Sequence, residues 1–64
     1  MKLMTDIQEV QINEQLEERG LYLKRIYRSF EGDIRVIASF SSHGYEFRYT
    51  VDFDGDYPKL KEVF

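Results

Sequence analysis

The side chains best suited to chemistry in this chain are three aspartates around a glycine, in the stretch DFDGDYP that begins at Asp52. Counted from Asp52, carboxylates stand at positions 1, 3 and 5, as they do in an EF-hand calcium loop. That loop also requires a glycine at position 6 and a bidentate glutamate at position 12, whereas this chain has Gly55 at position 4 and Val63 at position 12. A strand-ending turn followed by a helix cap explains Asp54, Gly55, Asp56 and Pro58 without a metal, so the sequence favours a turn, with weak calcium binding as the alternative.

Other catalytic or metal-binding groups are scarce. The chain has no cysteine and a single histidine, His43, which stands beside Ser41 and Ser42 in a predicted turn. Neighbouring residues of one turn do not supply a nucleophile, a base and an orienting group, since these usually come from different elements. A zinc site would need mostly carboxylate ligands. We therefore expect a protein that is not an enzyme and that holds no cofactor or metal.

Size and charge narrow the remaining classes. The 64 residues suffice for one small domain over residues 1–64. A net charge of -3 argues against a general nucleic-acid binder, whose surface is usually basic. No apolar run reaches the ~18 residues that cross a bilayer, and the start lacks the apolar segment of a signal peptide. These features predict a cytoplasmic protein that does not bind a membrane.

A helix is predicted over residues 5–19. Thr5 can serve as the N-cap, and Gln8 stands at the reciprocal position of a capping box. Arg19 followed by Gly20 is a stop signal, because a cation suits the last turn and glycine tolerates left-handed geometry.

The apolar residues of this helix point in two directions. Ile7 and Val10 share one side, and Ile12 and Leu16 share another, more than a right angle away at ~100° per residue. Either the helix makes apolar contacts on two sides, or its first part is extended and a shorter helix begins at Asn13. The start and stop signals favour the long helix.

Two strands are predicted from alternation of apolar and polar residues. A four-residue loop that ends at Gly44 joins them, pairs Phe40 with Tyr45 and keeps both apolar sets on one face of the sheet. These sets are Ile34, Val36, Ala38 and Phe40 in one strand, and Tyr45, Phe47, Tyr49, Val51 and Phe53 in the other.

A further strand, over residues 21–31, has apolar residues on both faces. A two-residue turn at Gly32 and Asp33 would bury its odd positions, whereas a three-residue loop that begins at Glu31 would bury its even positions. A bulge near Lys24 and Arg25 would bury apolar residues of both sets. Those residues are Leu21, Leu23, Ile26 and Phe30.

The last predicted element is a short helix. Asp56 can cap it, Pro58 suits its first turn, and Leu60 and Phe64 would be neighbours one turn apart. The complete prediction is a two-layer α+β domain, in which the N-terminal helix packs on a three-stranded antiparallel meander and this short helix follows.

This order of elements is similar to that of the double-stranded RNA-binding domain. The segment NEQLEERGL, residues 13–21, resembles the end of the first helix of that family. The resemblance implies a last helix that begins with the basic pattern Lys-Lys-x-x-Lys. This chain departs from that pattern. It has YPKLK at residues 57–61, and three aspartates precede this segment. Shared order alone does not imply RNA binding, because one fold serves many functions.

The candidate binding surface is the sheet face turned away from the helix, since arginine and tyrosine are enriched at interface hot spots. Long side chains can also merely cover a small sheet and protect its edges. In one register the face carries Arg25, Tyr27, Arg35, Ile37 and Arg48; in the other, Lys24, Ile26, Arg28 and Phe30 replace Arg25 and Tyr27.

A second candidate surface is the acidic side of the helix. Glu14, Glu17 and Glu18 are typical of a solvated helix face, and also of a surface that binds a basic partner. Together these features favour a small acidic protein-binding module, for example an inhibitor or immunity-type factor of phage or bacterial origin. The alternatives are a nucleic-acid binder that uses the arginines and aromatic residues of the sheet, and a structural homo-oligomer. The expected partner is therefore another protein or a second copy of the chain, ahead of nucleic acid.

Overall fold

The protein consists of one helix packed on an antiparallel sheet of four strands. The computed structural model describes residues 3–40 and 44–63. Within them the sheet has the order β1-β2-β3-β4, and α1 lies on one of its faces, against β1 and β4. The α+β prediction is confirmed, but the count of three strands was wrong. The elements are α1 (Asp6–Glu18), β1 (Tyr22–Arg28), β2 (Ile34–Ser39), β3 (Glu46–Asp54) and β4 (Tyr57–Val63).

The long helix is confirmed together with both of its end signals. The Gln8 N–H donates to Thr5 Oγ1 at 3.1 Å, and the Thr5 N–H donates to Gln8 Oε1 at 2.9 Å, which completes the capping box. At the other end Gly20 has φ of 74°, and the Leu21 N–H donates to the Leu16 carbonyl at 2.9 Å. This is the Schellman arrangement, in which a left-handed glycine lets the chain leave the helix with its last carbonyls bonded.

Only one of the two apolar sides of the helix is used inside the domain. Ile12 and Leu16 are fully buried against the sheet, whereas Ile7 is 71% exposed and Val10 is 56% exposed. The helix therefore has a second apolar side that the domain itself does not cover.

Of the possibilities that the sequence left open for β1, the structure shows the bulge. The register against β2 shifts between Leu23 and Arg25, so that Lys24 is the additional residue. As a result Leu21 is buried, while Leu23 and Ile26 are half-buried against the core. The extra residue brings apolar side chains from odd and even positions to the same face.

The loop between β1 and β2 differs from both predictions. The Ser29 N–H donates to the Asp33 carbonyl at 2.7 Å, and this bond closes a loop over residues 30–32. Phe30, which the bulge alternative would have buried, is therefore fully exposed at the loop tip. The predicted three-residue length was correct, but the loop lies one residue earlier because Ser29, and not Phe30, closes it.

The register of β2 against β3 is the predicted one. Val36 lies opposite Tyr49 and Ala38 lies opposite Phe47, so the two apolar sets share the face beneath α1. At the ends of the strands three residues of these sets, Phe40, Tyr45 and Phe53, are exposed instead of buried. The predicted turn residues Ser41, Ser42 and His43 lie outside the described residues.

The predicted C-terminal helix is wrong, because residues 57–63 form the strand β4, which pairs with β3 from Arg48 to Asp54. Gly55, with φ of 63°, and Asp56 make the two-residue turn between the strands. Pro58 is tolerated in β4 because an outer strand has unpaired positions that need no N–H. Eight residues would also have made a marginal helix. The last helix implied by the RNA-binding resemblance is likewise replaced by a strand.

One side chain fastens the helix to β4. Gln15 Nε2 donates to the Pro58 carbonyl at 2.7 Å, and Gln15 Oε1 accepts from the Leu60 N–H at 3.1 Å. Gln15 is thus bonded at both ends of its amide, and it fixes the position of α1 over the sheet.

Candidate functional site

The five predicted residues of the open sheet face lie next to one another. Arg25 is opposite Ile37, and Ile37 is in turn opposite Arg48. In the neighbouring row Tyr27 is opposite Arg35. Because cross-strand partners share a face, all five side chains lie on the side away from α1. We call this set, Arg25, Tyr27, Arg35, Ile37 and Arg48, the arginine face.

The bulge in β1 decides which side chains reach this face. Before it, the odd-numbered Leu23 lies with the core, and after it the even-numbered Ile26 does. Arg25 and Tyr27 therefore stay outside. The register with Arg25 and Tyr27 is the one the structure shows, and the alternative with Ile26 and Arg28 is wrong.

Lysines on the same side of the sheet are neutralised by acidic neighbours. The hydrogen bond and charge of Glu46 raise the pKa of Lys24 above its usual 10.5, and Asp52 raises the pKa of Lys61 in the same way. These lysines therefore offer little free charge to a partner. The pairs join Lys24 to Glu46 at 3.0 Å, Lys61 to Asp52 at 2.6 Å and Lys59 to Asp54 at 3.3 Å.

The three arginines, in contrast, keep most of their donors free. Within the described part of the chain, Arg48 has neither an ion pair nor a hydrogen bond. The Arg25 guanidinium lies 5.0 Å from the centre of the Tyr27 ring, in cation–π geometry. Arg35 reaches Asp33 only at 3.9 Å, and its buried Nε has no partner among the described residues. Three guanidinium groups with unused donors thus stand on one surface.

The acidic side of α1 lies on the opposite surface of the molecule. Glu14, Glu17 and Glu18 are exposed, and none is paired with a described residue. The helix contains five acids and no basic residue. At ~100° per residue these three glutamates lie on the same side of the helix as the exposed residues Ile7 and Val10. Sequence analysis separated the two apolar directions of the helix, but it did not connect the outer one to the acids.

The three aspartates lie at the hairpin between β3 and β4, where the sequence favoured a turn, and the strand β4 follows it in place of a helix cap. Asp52 and Asp54 lie on the same side of β3 and bind lysines of β4, while Asp56 lies in the turn. Within residues 3–40 and 44–63 no three acidic or histidine side chains converge on a common point. Weak calcium binding stays an untested hypothesis to which this geometry adds nothing.

A groove of about 540 Å³ lies between the start of α1 and the β3–β4 turn. Sequence analysis did not anticipate it, because it depends on β4 being a strand. Ile7, Asp56 and Tyr57 line it, and Gln11 contributes a buried Oε1 that has no hydrogen-bond partner in the described chain. The groove is open to solvent.

Comparison of the chain with protein-family models, with curated proteins and with solved structures gave no match. The span test is also negative: in the described part of the chain, the single helix is too short and too polar to cross a bilayer. Inference about function therefore depends on the geometry of the two surfaces described above.

Proposed function

We propose that this protein is a non-enzymatic protein-binding module whose arginine face docks on an acidic surface of another protein. The observation that supports this most strongly is the difference between paired lysines and free arginines on one side of the sheet. Guanidinium groups form bidentate, charge-assisted bonds with carboxylates, and such bonds are about twice as strong as neutral ones. Ile37, half-buried between Arg25 and Arg48, supplies apolar area at the centre of the surface.

A protein partner fits this surface better than nucleic acid does. Single-stranded nucleic acid binding relies on exposed aromatic faces and on a row of phosphate contacts. The Tyr27 ring is half-buried and already covered by the Arg25 guanidinium. The opposite surface is acidic and would repel phosphate. An inhibitor that covers an acidic working surface of its target is the form of function that these features favour.

The first test captures partners from a lysate with a tagged form of the whole chain, with and without nuclease. We expect one protein, in stoichiometric amount, that remains bound after nuclease and is released as salt rises. A bound species that disappears with nuclease would instead support nucleic acid as the partner.

Two double variants with the same change in net charge then locate the surface. Arg25→Glu with Arg48→Glu reverses two free arginines, and Lys59→Glu with Lys61→Glu reverses two paired lysines. All four side chains are exposed, so both variants should keep the fold, which circular dichroism checks. We expect the arginine variant to lose partner affinity at least about 100-fold and the lysine variant to lose far less. Unchanged affinity in the arginine variant would overturn the proposal.

A further inference from the structure

The outer side of α1 combines an apolar half with an acidic half. Ile7 and Val10, one turn apart, are 71% and 56% exposed. Glu14 follows Val10 by one turn, and Glu17 and Glu18 extend the acidic half to the end of the helix. We call this set, Ile7, Val10, Glu14, Glu17 and Glu18, the outer helix face. Two exposed aliphatic side chains aligned on a helix are typical of a surface that packs on something else.

The arginine face of the same chain has the complementary composition. It offers Ile37 at its centre as an apolar group, where the outer helix face offers Ile7 and Val10. It also carries three arginines, whose charge is opposite to that of the three glutamates on the outer helix face.

We infer that the outer helix face of one copy packs on the arginine face of a second copy, so that the protein self-associates head to tail. In this arrangement each helix lies between two sheets. The exposed apolar side of the helix, formed by Ile7 and Val10, becomes buried. The inference rests on the proposed function only in using the same arginine face. That face can then hold either a second copy or another protein, but not both.

A symmetric dimer does not fit these charges. A two-fold axis places the same surface on both sides of the interface. Two outer helix faces would bring glutamates against glutamates, and two arginine faces would bring arginines against arginines. A head-to-tail contact avoids both repulsions, and it leaves one free face at each end of any assembly that does not close into a ring. We therefore expect a series of species that grows with concentration instead of a closed dimer.

The test measures the molar mass of the whole chain by analytical ultracentrifugation from about 10 µM to about 1 mM, at salt well below and well above the ~0.1 M at which the Debye length is ~10 Å. One helix on one sheet is a smaller contact than a standard interface of ~1,600 Å², so we expect association only towards the upper end of this range. The mass should rise above the 7.7 kDa of a monomer at low salt and return towards it at high salt. A monomer throughout would overturn the inference.

A charge swap identifies the surfaces. The helix variant Glu14→Lys with Glu17→Lys, and the sheet variant Arg25→Glu with Arg48→Glu, each place like charges on both faces of the contact. Each should be monomeric alone. When the two are mixed, lysines of one helix meet glutamates of the other sheet, so the mixture should associate. Two unfolded or damaged variants would not regain association on mixing. If wild type associates but the mixture does not, a different interface is responsible and the inference is wrong.

The same variants separate this inference from the proposed function. The helix variant should lose self-association but still capture another protein, because its arginine face is unchanged. A wild-type chain that stays monomeric but binds a protein through Arg25 and Arg48 would overturn the self-association alone. Self-association without capture of any other protein would instead support a structural homo-oligomer and overturn the proposed function alone.

Discussion

On the side of the sheet beneath α1, Val36 and Tyr49 are almost completely shielded from solvent, whereas on the arginine face Arg25 and Arg48 stand in water and Ile37 is half-buried. The first side is closed by the domain itself. The second retains unused guanidinium donors and apolar area. The difference shows that the side beneath α1 holds the core, while the surface proposed for binding lies on the other side of the sheet. Changes to the second side should therefore affect folding far less than changes to the first.

The largest expected effect comes from truncating the closed side. Leu16→Ala removes a fully buried side chain between α1 and the sheet, and should lower the free energy of unfolding by about 2–5 kcal/mol. That is enough to unfold most molecules of so small a domain. Ile37→Ala on the arginine face is the matched control, and it should cost only about 1 kcal/mol. Equal losses in urea unfolding would contradict the division between the two sides.

An intermediate effect is expected at the bond between helix and sheet. Gln15→Ala leaves the Pro58 carbonyl and the Leu60 N–H without their partners and should cost about 1–3 kcal/mol. Exposed Gln8 of the same helix, changed to Ala, loses only capping and turn contacts, and should cost about 1 kcal/mol. Thermal unfolding of both variants measures the difference. A Gln15→Ala protein as stable as wild type would show that water replaces the amide at no cost.

The smallest effect is expected from the paired lysines. Because Glu46 and Asp52 raise the pKa values of Lys24 and Lys61 above 10.5, the two ion pairs stabilise the fold below that pH, and this stabilisation is lost as pH rises through the raised values. The advantage of wild type over Lys24→Met with Lys61→Met should therefore shrink between about pH 9 and about pH 12. Urea unfolding measures it, and the five tyrosines, which ionise in the same range, are common to both proteins. If the difference in unfolding free energy between the two proteins stayed constant across this pH range, the ion pairs would not stabilise the fold.

The predictions that succeeded depended on short-range patterns. Alternation in β2 and β3 allowed only one register that buries both apolar sets, and the capping box of Thr5 and Gln8 defined where the helix starts. The positions of Arg35, Ile37 and Arg48 followed from the same alternation, whereas Arg25 and Tyr27 belonged to one of two registers that the sequence left open. The bulge in β1 was one of three options, and only pairing with β2 selects it, since the residues of β1 alone place apolar side chains on both faces.

The predictions that failed depended on contacts between distant residues. Asp56 and Pro58 suit the first turn of a helix as well as a hairpin turn and an outer strand, so the local residues did not distinguish them. Pairing with β3 decided for the strand. The neutralised lysines were missed for the same reason, because Lys59 and Lys61 meet their aspartates only when β4 exists. The sequence alone therefore did not distinguish the lysines that form ion pairs from the arginines that keep free donors.

The amide of Gln15 has a further consequence for how this sheet can meet other molecules. Sheets with unprotected borders can recruit strands from other chains and grow as amyloid does. Here the border at β4 has its Pro58 carbonyl and Leu60 N–H occupied by Gln15, and Pro58 has no N–H to offer. At the other border the bulge at Lys24 interrupts the regular spacing of donors and acceptors. Strand addition is thus disfavoured at part of each border, which favours assembly through side chains, where salt can still separate the copies.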